Sequence, residues 1–147
     1  MIDRFERFSL AISESSRCWH KIAADEMEKH GLKGSHAIYL TTLYRYPDGV
    51  TAARLGELCG KDKADVSRMM SIMEKKQLVI REGSSYRAQL KLTPAGLEAA
   101  EHVRSRATVA VENASRGLSD ERREVFYEAL ELIVSNLQNI CEEGLPL

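Results

Sequence analysis

The feature that most constrains this chain is a change of hydrophobic period, made and then reversed between residues 51 and 93. Residues 51–59 place Leu55 and Leu58 at a helical step, and residues 63–76 place Val66, Met69, Met70 and Met73 at helical steps. Only Gly60-Lys61-Asp62 lies between the two segments. Residues 78–82, Leu-Val-Ile-Arg-Glu, then read as a strand, Gly83-Ser84-Ser85 as a turn, and Tyr86 to Leu92 as the returning strand. Thr93-Pro94 starts another helix, because proline suits the first helical position and threonine can cap it. Two short helices broken by a glycine must pack across one another, and the hairpin must fold back beside them. The pattern is a helix-turn-helix followed by a β-hairpin wing.

Long amphipathic segments flank this middle. Residues 2–29 carry Phe5, Phe8, Ile12, Trp19, Ile22 and Ala23 mostly at three- and four-residue steps, and Gly31 ends the run. Ser35 is predicted to cap a second helix bearing Ile38, Leu40, Leu43 and Tyr44, followed by the turn Pro47-Asp48-Gly49. Thr51 caps the third helix, and Asp62 with Asp65 resembles a capping box opening the fourth. A helix from Pro94 to about Arg116 stops at Gly117. Ser119 then caps a last helix with Val125, Phe126, Ala129, Leu130, Ile133, Leu137 and Ile140 on its apolar face. The expected fold class is mainly α (α+β), a single domain over 1–147 with the winged helix at 35–93 and long helices at both ends.

Composition narrows the function classes. A chain of 147 residues with 44% hydrophobic and 29% charged residues is ordinary for a soluble protein. Its apolar runs fall far short of the ~20 residues that span a bilayer, and charges recur through Met1 to Arg7 where a signal peptide needs apolar residues. No membrane association is expected. Three cysteines, Cys18, Cys59 and Cys141, are an odd number at unrelated spacings, which points to the reducing cytoplasm. There is no Gly-rich phosphate loop, Gly-x-Ser-x-Gly or His-Glu-x-x-His, so neither an enzyme nor a cofactor is expected.

The net charge of −1 conceals an asymmetry. Residues 61–91 hold eight Lys and Arg against four Asp and Glu, while residues 92–147 hold five against ten. Salt screens charges beyond roughly 8 Å, so a basic segment still attracts phosphate when the remainder is acidic. The second helix of a helix-turn-helix can lie in a major groove about 12 Å wide. Here its outward residues include Arg68, suited to a bidentate contact with guanine, and Ser67 and Ser71 for bases or phosphates. Lys61, Lys63 and Lys75 are placed to neutralise phosphates, and the wing offers Arg81, Ser84, Ser85, Arg87 and Lys91. The competing reading is a winged helix used only for protein contacts, which calls for an acidic or apolar outer face in place of these lysines and Arg68.

Leu55-Gly56-Glu57-Leu58-Cys59-Gly60-Lys61-Asp62-Lys63-Ala64-Asp65-Val66-Ser67-Arg68 resembles the third and fourth helices of the MarR family of bacterial regulators. Leu90-Lys91-Leu92-Thr93-Pro94-Ala95-Gly96 resembles that family's strand-to-helix junction, Leu-Thr-x-x-Gly. The resemblance implies a transcription regulator, usually a repressor, that binds a pseudo-palindromic duplex as a homodimer. Its first, fifth and sixth helices, within 1–34 and 94–147, would intertwine with those of a second copy. It also implies release by a small molecule or an oxidant. The wing departs from the family, with Ser84 in place of the usual Asp, Tyr86 in place of the usual Arg, and Arg87 one residue late. Gln77 stands where the family prefers Gly; it either takes the left-handed conformation at a cost of roughly 1 kcal/mol or extends the helix.

Trp19, His36, Tyr39 and Tyr44 are candidates to line an effector pocket, or they simply fill a core. Cys18, near Arg17 and His20, is the candidate redox cysteine, against the alternative of a buried, inert thiol. His36, His102 and Glu98 include donor types that suit zinc, but no His-x-x-x-His or Cys-x-x-Cys is present and no metal is expected.

Overall fold

The structure is a computed structural model that describes residues 3–83 and 87–147. Six helices and one hairpin follow in order: α1 (Arg4–Glu28), α2 (His36–Tyr44), α3 (Ala52–Cys59), α4 (Lys63–Lys75), β1 (Val79–Glu82), β2 (Gln89–Leu92), α5 (Pro94–Ala114) and α6 (Asp120–Glu143). By its internal contacts the chain divides into two compact units between Ala107 and Thr108. Among the described residues no helix is long and apolar enough to cross a membrane.

The first unit holds the core. Tyr39, Leu40, Leu43, Leu55, Val66, Met70, Met73, Val79 and Leu90 are buried together, joined by Met27 from the end of α1 and by Ala99, Ala100 and Val103 from α5. Successive elements close this core pairwise, α2 on α3, α3 on α4, and α4 on β1. The strands pair antiparallel with Val79 opposite Leu92 and Glu82 opposite Gln89. Val50, just before α3, bridges to Leu90 and so ties the hairpin back to the helices.

Local signals act largely where the residue types predict. The Asp3 carboxylate caps α1 by accepting the Glu6 N–H, and Thr51 caps α3 by accepting the Arg54 N–H. Ser119 does the same for α6. Gly60 closes α3 in the left-handed conformation at φ 64°.

Ser35 departs from expectation. Its backbone is already helical and its side chain makes no cap; the hydroxyl instead lies 3.9 Å from the sulfur of Met69 on α4. The inward face of α2 is also rotated from the expected one. His36, Tyr39, Leu40, Thr42 and Leu43 are buried, while Ile38 is exposed. A nine-residue helix with apolar residues on most sides has no single stripe to read, so packing against α3 decides its rotation.

The base of the wing is the tightest junction. Gln77 adopts the left-handed conformation at φ 59°, so of the two sequence-based alternatives the chain takes the strained one. The Gln77 carbonyl accepts the Thr93 hydroxyl at 2.6 Å, and Thr93 Oγ1 in turn accepts the Gly96 N–H at 3.0 Å. A Cβ on Gly96 would sit 2.0 Å from the Leu78 carbonyl oxygen. This close approach is the physical reason for glycine at the end of the Leu-Thr-x-x-Gly run.

The second unit holds the end of α5, a turn at Gly117 and α6. No residue of α6 is buried, and Val125, Phe126, Leu130, Leu132, Val134 and Leu137 are exposed. On α1 the stripe residues Phe5, Phe8, Ile12, Trp19 and Ile22 are exposed as well.

Gly96→Ala is expected to cost more than about 2 kcal/mol in urea unfolding, because the clash is with backbone and no rotamer relieves it. A loss below 0.5 kcal/mol, an order-of-magnitude threshold for a tolerated surface change, would show that the junction yields.

Candidate nucleic-acid interface

Helix α4 is seated by one side. Val66, Met70 and Met73 are buried, and Met69 and Ile72 pack partly against the same core. The i, i+4, i+7 spacing fixes the rotation of the rod, so the opposite side must face out. Ser67, Arg68, Ser71 and Lys75 are exposed there, and Lys63 is exposed at the N-terminal end of the helix. Asp62 caps the start, its Oδ1 accepting the Asp65 N–H at 2.7 Å. The return half of a capping box is absent, because the Asp65 side chain is engaged elsewhere. Its Oδ2 accepts a hydrogen bond from the Tyr39 hydroxyl, and its Oδ1 lies 3.4 Å from Arg68 Nη2.

Among the described residues neither Lys63 nor Lys75 has an ion-pair partner. The wing cations are arranged differently. Arg81 pairs with Glu74 of α4, and Lys91 Nζ lies 2.7 Å from Glu82 Oε2 across the hairpin. These pairs bind the wing to α4 and to itself and reduce the positive charge it presents. Arg87 is exposed, while Ser84 and Ser85 lie outside the described residues. Lys61 is exposed in the turn before α4.

This arrangement can be compared with known proteins. The sequence model of the MarR family matches residues 30–87, the span from the end of α1 to the wing. The match falls on the winged helix of this chain. The fold extends the likeness along the chain. A MarR transcriptional regulator from Methanosarcina mazei Go1 superposes with a TM-score of 0.82 at 22% identity, covering 94% of this chain and 93% of its own. A MarR-family regulator from Listeria monocytogenes, solved with a 26mer DNA, gives 0.81 at 18% identity, covering 100% and 99%. The Staphylococcus aureus MepR–DNA complex gives 0.79 at 21% identity, covering 88% and 97%. No curated protein matches the chain by sequence.

Beside the winged helix, within the same unit, lies a cavity of about 650 Å³. Trp19, Ile22 and Met27 of α1, Ile38 of α2 and Val103 of α5 give it an apolar wall. His20, Glu26, Ser35, Thr41, Lys61 and Arg106 supply its polar groups. Of the four aromatic candidates only Trp19 lines it. His36 and Tyr39 are 1% and 0% exposed and belong to the core. Tyr44 lies under the Arg104 guanidinium, 4.6 Å from its ring centroid. Arg106 has a sequence signal in retrospect, since it stands four residues after His102 on one helical face. Both reach Glu26, Arg106 Nε at 3.2 Å and His102 Nε2 at 3.6 Å. The ammonium of Lys29, then Arg106, holds the Glu26 carboxyl below the usual range.

The remaining candidates fall apart in space. His102 meets the ring of His30 edge-on, and His36 Nδ1 accepts the Lys33 N–H at 3.0 Å. Burial lowers the His36 pKa. Among the described residues no three His, Cys, Asp or Glu side chains converge to hold a metal. Cys18 is exposed in the single chain, between Glu14 Oε1 and Arg17 Nη2 at 3.7 Å each. Cys59 is buried beside Thr42, and burial raises its pKa.

The Tyr39 hydroxyl is the chief cause that holds the Asp65 carboxyl below its ordinary value. A carboxylate depressed on folding contributes stability above its unfolded pKa of about 4, and loses it as pH falls through the folded value. The stability gap between the native chain and Tyr39→Phe is therefore expected to narrow between pH 7 and pH 3 in urea unfolding. A gap unchanged over that range would show that the hydrogen bond does not favour the ionised carboxylate.

Proposed function

We propose that this chain is a sequence-specific, duplex-DNA-binding transcription regulator, a repressor acting as a homodimer on a pseudo-palindromic site. The observation that carries the reading is the outward side of α4. It presents Ser67, Arg68, Ser71 and Lys75 to solvent, with Lys63 exposed at the N-terminal end, while the other side is locked into the core. Thirteen residues make a rod about 20 Å long, which fits along a major groove. Arg68 reads a base edge, Ser67 and Ser71 contact bases or adjacent phosphates, and Lys61, Lys63 and Lys75 neutralise phosphates. The Listeria regulator and MepR, whose folds this chain shares, were each solved with DNA.

Residues 35–93 would bind the duplex, and the helices within 1–34 and 94–147 would join two copies. The support is the apolar surface left open on α1 and α6: Phe5 is 74% exposed, Val125 64% and Leu132 63%. Surface of this kind is rarely left in water when a symmetric copy can cover it. A twofold axis then sets the two α4 helices about 34–36 Å apart, one turn of duplex. A small apolar molecule in the cavity beside Lys61 and Ser35 would release DNA by shifting the start of α4.

Selection from randomised duplexes tests the central claim, and an enriched inverted repeat is the expected outcome. No enrichment over a protein-free control would sink it. On the selected duplex Arg68→Ala should cost about 1–3 kcal/mol and relax one base pair per half-site. Lys63→Ala should weaken all duplexes alike and lower the slope of log K against log salt by about 1. Equal losses on specific and random DNA for Arg68→Ala would remove it from base readout. In sedimentation the native chain should run at twice its mass, and the double variant Phe126→Glu/Leu137→Glu as a monomer. A monomeric native chain at micromolar concentration would overturn the dimer.

A further inference from the structure

Asp65 is a costly residue to place on a helix that approaches phosphate. Its negative charge stands three residues before Arg68, and the other acidic residue within the helix, Glu74, is taken up by Arg81. A carboxylate in the first turn favours a helix electrostatically, but Asp62 already supplies one as the N-cap. The two oxygens of Asp65 are both engaged by side chains. Oδ2 accepts a hydrogen bond from the hydroxyl of Tyr39, a wholly buried residue of α2, and Oδ1 faces Arg68 Nη2 at 3.4 Å. Because the Tyr39 ring is fixed in the core, its hydroxyl fixes the plane of the carboxylate.

The Arg68 side chain is 66% exposed. A free arginine loses about 2 kcal/mol of rotamer entropy when it is immobilised. One hydrogen-bonded nitrogen leaves the other guanidinium donors available, so an Asp65 contact restricts the fork without consuming it.

We infer that Tyr39 and Asp65 are a positioning pair for Arg68: the phenol orients the carboxylate, and the carboxylate holds the guanidinium ready for one base edge. The pair thereby sets the specificity of DNA reading more than its strength. Repulsion between Asp65 and the phosphates weakens every complex. Only a duplex with the matching base recovers that loss, through an arginine already in place. This rests on the reading of Arg68 as a base-contacting residue.

The test uses the full chain, the selected duplex, and a scrambled duplex of the same length. Asp65→Asn keeps an acceptor for Tyr39 and removes the charge. It should raise affinity for the scrambled duplex about threefold and leave affinity for the selected one unchanged or lower, so the ratio of the two falls about three- to tenfold. Tyr39→Phe keeps the charge and should lower selected-duplex affinity severalfold with little change on the scrambled one. In an Arg68→Ala background neither substitution should lower the ratio further. A purely structural role for Asp65 would lower both affinities together, and a purely repulsive one would raise both equally; either outcome overturns the pair, as does a further fall in the ratio on the Arg68→Ala background. If Arg68→Ala itself leaves the ratio unchanged, the reading of Arg68 fails. If Arg68→Ala lowers it and Asp65→Asn does not, the positioning pair alone fails. Should Tyr39→Phe not fold, the Asp65→Asn measurements decide.

Discussion

Val66, Met70 and Met73 lie on one side of α4 and are almost wholly withdrawn from solvent. Burying such side chains stabilises by roughly 1.5–3 kcal/mol each, far more than any surface contact of the same helix. Their register leaves α4 one rotation about its axis, and the exposure of Ser67, Arg68 and Ser71 follows from it. The polar side need not be specified by attraction to anything within the chain. It is what remains once the apolar side is satisfied.

The hairpin inherits its position from the same seat. β1 begins four residues after α4 ends, with Gln77 in the left-handed conformation between them. The start of α5 then presses its Gly96 against Leu78, while the Thr93 hydroxyl ties the Gln77 carbonyl to the helix start. The end of α4, the base of the hairpin and the start of α5 thus meet at one point. Strain at Gln77 is tolerated because hydrogen bonds and close packing on either side determine the path of the chain.

Charge in this region is more evenly balanced than the residue count implies. Glu74, Glu82 and Asp65 lie opposite Arg81, Lys91 and Arg68, respectively. Exposed pairs of this kind add little stability, but they decide which cations are available to a ligand. Lys63 and Lys75 stand at the two ends of α4, about 18 Å apart along its axis. The helix therefore offers a lysine at each end with Ser67, Arg68 and Ser71 between them, an order that suits two phosphate contacts flanking a base contact.

Much of this was legible from residue types and spacing: the order of elements, the caps at Thr51, Asp62 and Ser119, the breaks at Gly31, Gly60 and Gly117, and the outward set on α4. These depend on interactions within a few residues, where one local arrangement is far cheaper than any other. The tertiary structure alone decided which side of α2 turns inward, that Ser35 contacts Met69 instead of capping, and that Tyr39 reaches Asp65. It likewise decided that Arg81 is held by Glu74 and that Trp19 shares a cavity wall with Arg106 on a distant helix. Each joins side chains that many residues or another element separate, so their meeting depends on how whole helices pack, and periodicity along the chain carries no record of that.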